Sequence, residues 1–105
     1  MIFVETPVFT RGIKALLQDK EYHALQLALL LRPEQGTVIP GSHGLRKLRW
    51  SLSGRGKRGG VRVIYYWDKP KDSIHMLLVY AKHTQENLTS TQLRILSDLV
   101  RKEFK

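Results

Sequence analysis

The sequence predicts an α+β fold: an N-terminal strand and helical hairpin, an antiparallel β-sheet meander, and a C-terminal helix. Three observations predict it. Apolar residues recur with a 3.6-residue period near both ends of the chain and with a period of two in the middle. Glycine and proline punctuate the gaps between these periodic segments. The three later strands are joined by connections too short for a crossover helix, which makes them antiparallel.

The opening "MIFVE" is apolar and β-branched and reads as a short strand. Thr6 then offers an N-cap, with Pro7 at the first helical position, where its missing N–H is not needed. A first helix over about residues 7 to 18 carries Val8, Phe9, Ile13, Leu16 and Leu17 as its stripe. Asp19 is placed to cap a second helix, about 20 to 32, ending before Pro33 and Gly36. Tyr22, Leu25, Ala28, Leu29 and Leu31 are expected to form its wide apolar face.

"PEQGTVIPGSHG" reads as a loop, and the period then changes to two. In "RKLRWSL", Leu48, Trp50 and Leu52 alternate with Lys47, Arg49 and Ser51. In "VRVIYYW" (61 to 67), Val61, Val63, Tyr65 and Trp67 take one face, while Arg62, Ile64 and Tyr66 take the other. "SIHMLLVYA" (73 to 81) is apolar on both faces and suits a central strand. "TSTQ" is a capping box for a last helix of about 90 to 103, with Leu93, Leu96, Leu99, Val100 and Phe104 on its buried stripe. With no repeat or linker in view, residues 1–105 are expected to form one domain, a sandwich of two layers.

Composition narrows the function classes. Hydrophobic residues make up 42% of the chain, enough for a core. Cysteine is absent, so disulfides and thiolate metal sites are excluded. The longest apolar stretch, "ALQLALLL", is far short of a membrane span, and the N-terminus lacks the pattern of a signal peptide. A cytoplasmic protein without membrane association is expected. Net charge is +9, and its distribution is uneven. Residues 1 to 34 balance, whereas residues 35 to 67 hold seven basic residues and no acidic ones. A concentration of this kind looks like a footprint for a polyanion.

The seven are Arg46, Lys47, Arg49, Arg55, Lys57, Arg58 and Arg62. Gly54, Gly56 and Gly59 spell G-x-G-x-x-G, but a strand follows where a dinucleotide site needs a helix N-terminus, so that reading fails. Arg55, Lys57 and Arg58 suit an exposed turn, whether or not they bind anything. Lys47, Arg49 and Arg62 are different, because like charges facing across a hairpin repel. A bound anion, or another chain's carboxylates, would relieve that repulsion. Among the aromatics beside them, Tyr65 and Trp67 alternate with core valines, and Tyr66 shares the face of Arg62 and is the better stacking candidate. Of the histidines, His23, His43 and His75 suit surface, loop and strand roles. His83 follows Lys82 at a strand end, where a proton carrier near neutral pH is plausible. The histidine spacing gives no metal site.

Three runs, "GLRKLRW", "GRGKRGGVRVIYYW" and "MLLVYAKHTQENLT", together resemble the RelE/HigB superfamily of bacterial type II toxins, most of all its HigB branch. The resemblance covers essentially the whole chain, and "GKRGGxRxIYY" is its most specific part. It implies a RelE-like fold and a ribosome-dependent, metal-independent endoribonuclease (an mRNA interferase) without a cofactor. Such a toxin cuts the mRNA codon in the ribosomal A site and so inhibits translation. The ribose 2′-OH attacks the adjacent phosphorus, leaving a 2′,3′-cyclic phosphate and a 5′-OH. The resemblance assigns Lys47, Arg49, Arg62, Lys82 and His83 to catalysis, with Arg62 on the transition-state charge. Arg46, Arg55, Lys57, Arg58 and Tyr66 are assigned to RNA or ribosome binding. Relatives carry lysine then arginine where Lys82 and His83 stand, and some use a tyrosine near the position of Thr89. The general acid or base is therefore open, with His83 the candidate. A cognate antitoxin is also implied, acidic, often with a helix-turn-helix domain, through which alone the complex reaches operator DNA. Two other functions stay open: a gyrase-targeting toxin of the sister ParE branch, and a non-catalytic RNA or ribosome binder.

Overall fold

A computed structural model describes residues 1–52 and 60–105. The fold class is α+β, with elements β1 (Ile2–Glu5), α1 (Pro7–Leu16), α2 (Asp19–Leu31), β2 (Thr37–Val38), β3 (Arg46–Trp50), β4 (Val61–Asp68), β5 (Ser73–Ala81) and α3 (Ser90–Phe104). The five strands form one mixed sheet in the order β1-β5-β4-β3-β2. β1 runs parallel to β5, and the other neighbours are antiparallel.

The helical hairpin follows from its caps. Thr6 Oγ1 accepts from Phe9 N at 3.0 Å and donates to the Leu77 carbonyl at 2.8 Å, so one hydroxyl caps α1 and ties it to β5. α1 ends at Leu16, two residues before the sequence expectation, because Leu17 is extended. Gln18, not Asp19, is the N-cap of α2, since its N–H donates to Glu21 Oε1 at 2.8 Å. Glu5, at the end of β1, accepts from both Thr10 and Tyr22 and holds strand and hairpin together. Burial, followed by the bonded Glu5 carboxylate, pushes the Tyr22 phenol well above its usual range.

The buried stripes are narrower than the sequence suggested. Leu25 and Leu29 are fully buried on α2, but Leu31 is 74% exposed. Leu31 lies two residues beyond Leu29, about 200° round the helix at 3.6 residues per turn. Val8 likewise stays exposed at the rim of α1, beside buried Phe9. β2 was expected to be loop. Two residues carry no periodicity to detect, and pairing with β3 creates the strand.

The sheet is covered on both faces. On one, Phe9, Ile13, Leu25 and Leu29 of the hairpin pack on Leu48, Val63, Tyr65, Ile74 and Met76. On the other, Val100, Leu96 and Leu93 of α3 pack on Leu45, Ile64, Leu77 and Tyr80. The molecule therefore has three layers rather than two. Ile64, Leu78 and Tyr80 are apolar or aromatic on the second face, and their burial requires α3 there. A bulge lies between Ile64 and Tyr65: Ile64 faces Leu78 and Tyr65 faces Met76, leaving Leu77 as an extra residue. Alternation on β5 changes phase at that point, with Ile74, Met76 and Val79 toward the hairpin and Leu78 and Tyr80 toward α3. Among the described residues, no helix is long and apolar enough to cross a membrane.

Candidate nucleic-acid interface

Strand register places the key cations. Arg49 of β3 lies directly opposite Arg62 of β4, and Arg62 lies opposite Tyr80 of β5. By alternation all three belong to the face that α3 partly covers. One row further along, Thr37, Lys47, Ile64 and Leu78 are paired in turn. Lys47, Arg49 and Arg62 thus share a face, as alternation predicted. The two arginines are cross-strand neighbours, the arrangement in which like charges destabilise a sheet.

Arg62 is the unusual member. It is only 5% exposed, whereas Arg49 is on the surface. Its Nη2 approaches Glu86 Oε1 at 3.4 Å, long for a charge-assisted hydrogen bond. Its Nε is buried with no partner among the described residues, and so is the Tyr80 hydroxyl. Burial raises the Tyr80 phenol above its usual pKa, only partly opposed by the Arg62 charge, so the hydroxyl stays protonated and can donate. A buried guanidinium edge and a buried phenol, both with unused donors, are chemically suited to an anion.

The turn after β5 lies over this row. Thr84 N and Oγ1 both donate to the Ala81 carbonyl, at 3.1 and 2.8 Å, and Lys82 N donates to the Gly60 carbonyl at 3.0 Å. At the far end, Thr89 and Gln92 cap α3 reciprocally, and Gln85 Nε2 reaches Gln92 Oε1 at 2.9 Å. Held at both ends, the turn sets Glu86 on Arg62 and Asn87 Oδ1 on Lys47 Nζ at 2.8 Å. Beside Lys47 is a cleft of about 280 Å³ walled by Val38, Ile39, Pro40, Leu88 and Leu93. A second, more polar groove of about 460 Å³ passes Gln35, Lys47 and Arg49.

The other expected site residues fall as follows. Arg46 is on the hairpin face, where Nη1 donates to the Glu34 and Gly36 carbonyls, both at 2.8 Å, and so secures the loop before β2. Tyr66 stacks on Phe104 of α3 with centroids 4.8 Å apart, which covers one side of its ring. Lys82 and His83 are exposed on the turn. No hydrogen bond or ion pair joins His83 to Arg62 among the described residues. Arg55, Lys57 and Arg58, with the G-x-G-x-x-G run, lie outside the described residues. Tyr65 and Trp67 pack in the hairpin-side core, as alternation predicted. His75 touches the Phe104 ring at 4.3 Å, and burial lowers its pKa.

Sequence reasoning gave no role to Glu86, Asn87 or the Tyr80 hydroxyl. Glu86 carried a signal, being the lone acid between Asp72 and Asp98 and standing in the loop after the last strand. The position of Tyr80 depends on the bulge, which has no sequence mark. Among the described residues, no three His, Cys, Asp or Glu gather where they could hold a metal ion. A scan of the chain against protein-family models finds no match.

Proposed function

We propose that this chain is a RelE/HigB-type toxin of a type II toxin–antitoxin system, an endoribonuclease that cuts mRNA in the ribosomal A site. The observation that carries the reading is the row Arg49–Arg62–Tyr80, in which a buried arginine and a buried phenol keep unused donors on a basic sheet face. The order of elements is consistent with a RelE-like fold. In this reading a phosphodiester lies over Arg62, with Lys47 and Arg49 on the adjoining phosphates. The 2′-OH attacks phosphorus, the P–O5′ bond breaks, and the fixed guanidinium stabilises the added charge of the phosphorane. His83, on the turn beside Lys82, takes the proton from the 2′-OH, and the departing 5′-oxygen is protonated from water to give the 5′-OH. The apolar cleft beside Lys47 accepts a base unstacked from its neighbours. A cognate antitoxin supplies carboxylates to the same basic face.

Primer extension on a defined mRNA, in a purified translation system with and without ribosomes, tests the reading. Ribosome-dependent A-site cuts with cyclic phosphate ends are expected. Arg62→Ala should lower cleavage by at least about 100-fold, the usual loss for one preorganised charge stabiliser, and abolish growth arrest while the protein still folds. Full toxicity in that folded variant would remove Arg62 from the mechanism. A wild-type protein that cuts no RNA but provokes a DNA-damage response would instead support gyrase as the target.

A further inference from the structure

Glu86 is held against Arg62 by weak geometry. Its carboxylate is 56% exposed and meets Nη2 at 3.4 Å, leaving the buried Nε and the Tyr80 hydroxyl without partners among the described residues. A counter-ion selected to neutralise Arg62 for stability would engage the guanidinium edge with both oxygens. This one reaches a single nitrogen from the solvent side. Asn87 repeats the pattern one row away, placing a neutral oxygen on Lys47. Two adjacent turn residues thus set oxygens on Arg62 and on Lys47, the latter a wall of the cleft. Two phosphate oxygens of a bound strand would compete for the same donors.

We propose that the Arg62 guanidinium and the Tyr80 hydroxyl form a phosphodiester site which Glu86 occupies in the free protein, as an internal competitor that RNA displaces. The proposal rests on the nuclease reading for its choice of ligand. The displaced carboxylate turns into water at little cost, because its side chain is already more than half exposed. The phosphodiester then gains two donors that Glu86 never used. Tyr80 is a positioning and binding residue here, and its contribution is hydrogen-bond donation to a non-bridging phosphate oxygen.

The test is a titration of the full chain with a 2′-deoxy dinucleotide carrying one phosphodiester, which binds but cannot be cut. The readout is the Arg62 Nε–Hε resonance. Saturable shifts of that resonance are expected in the wild type. Glu86→Gln should tighten binding by about threefold, the scale of one exposed ion pair. Glu103→Gln makes the same change in net charge on the outer side of α3 and should leave affinity unchanged. Tyr80→Phe should weaken binding by about tenfold, the loss of one hydrogen bond to a charged group. An Arg62 resonance that never moves would overturn the site. Equal tightening by Glu86→Gln and Glu103→Gln would reduce the effect to net charge and overturn the competition. Unchanged affinity in Tyr80→Phe would remove Tyr80. Binding as expected without ribosomal cleavage would keep the site and sink the nuclease. Cleavage with no Glu86 effect would keep the nuclease and sink the competition.

Discussion

Replacing Tyr80 by Phe should make the protein more stable. The hydroxyl is buried in a side chain only 7% exposed and finds no partner among the described residues. Leaving such a group unpaired costs about 1–3 kcal/mol of desolvation, which the substitution recovers. Against this stands the small void left by one oxygen. Taking that void as roughly 12 Å³ at about 24 cal/mol per Å³, the loss is about 0.3 kcal/mol. A net gain of about 1 kcal/mol follows, near the low end because the void and any local relaxation both subtract. For a domain of this size it corresponds to a Tm rise of about 4–8 °C. Urea unfolding at pH 7 measures it as a higher midpoint with an unchanged slope. A lower midpoint would show that the hydroxyl is already bonded in solution and would refute the reasoning. The same substitution is expected to weaken phosphodiester binding, so stability and affinity should move in opposite directions.

Two further perturbations follow from the packing. Burial depresses the His75 pKa, with the Asp68 carboxylate opposing and Lys71 reinforcing, while Ser73 Oγ and the Phe104 ring lie against the imidazole. Because the folded pKa lies below the unfolded value of about 6.5, unfolding takes up a proton. The His75 contribution is therefore complete above about pH 6.5 and declines as pH falls through the folded pKa. His75→Gln should flatten this part of a urea-midpoint profile taken from pH 7.5 to 5, and an identical profile would refute the assignment. Gly36→Ala should cost about 2 kcal/mol by overpacking. A Cβ there would stand 2.8 Å from the Tyr65 ring, whose hydroxyl is fixed by Gly36 N at 2.9 Å and the Pro33 carbonyl at 2.7 Å. An unchanged urea midpoint would mean that the loop yields freely.

Much of the scaffold was legible because the elements that form the core obey simple periods. Val61, Val63 and Tyr65 alternate cleanly, and so do Lys47, Arg49 and Arg62, and that alternation alone puts the cations on one face. The capping box at Thr89 and Gln92 marked the start of α3 correctly. Other features depend on tertiary contact. β2 exists through its pairing with β3, and the second face needed α3 because Ile64 and Leu78 had to be covered. Arg46 reads like its neighbours in composition, yet its parity sends it to the other side, where it fastens a loop. Glu86 and Tyr80 meet Arg62 through a turn and a bulge, and neither device has a residue signature.

The extra residue at Leu77 sets the reading frame of the last strand. In an unbulged strand the parity of Ile74 and Met76 would run on to Leu78 and Tyr80, and the phenol would point into the helical hairpin. Val79 would then stand beside Arg62. Deleting Leu77 itself would restore regular alternation and leave Tyr80 opposite Arg62, whereas pairing the full-length strand without the bulge would exchange every side chain beyond Met76 between core and working face. Thr6, whose hydroxyl takes the Leu77 carbonyl, acts as the clamp that holds the frame. The pairing of phenol with guanidinium is thus a property of strand register as much as of residue identity.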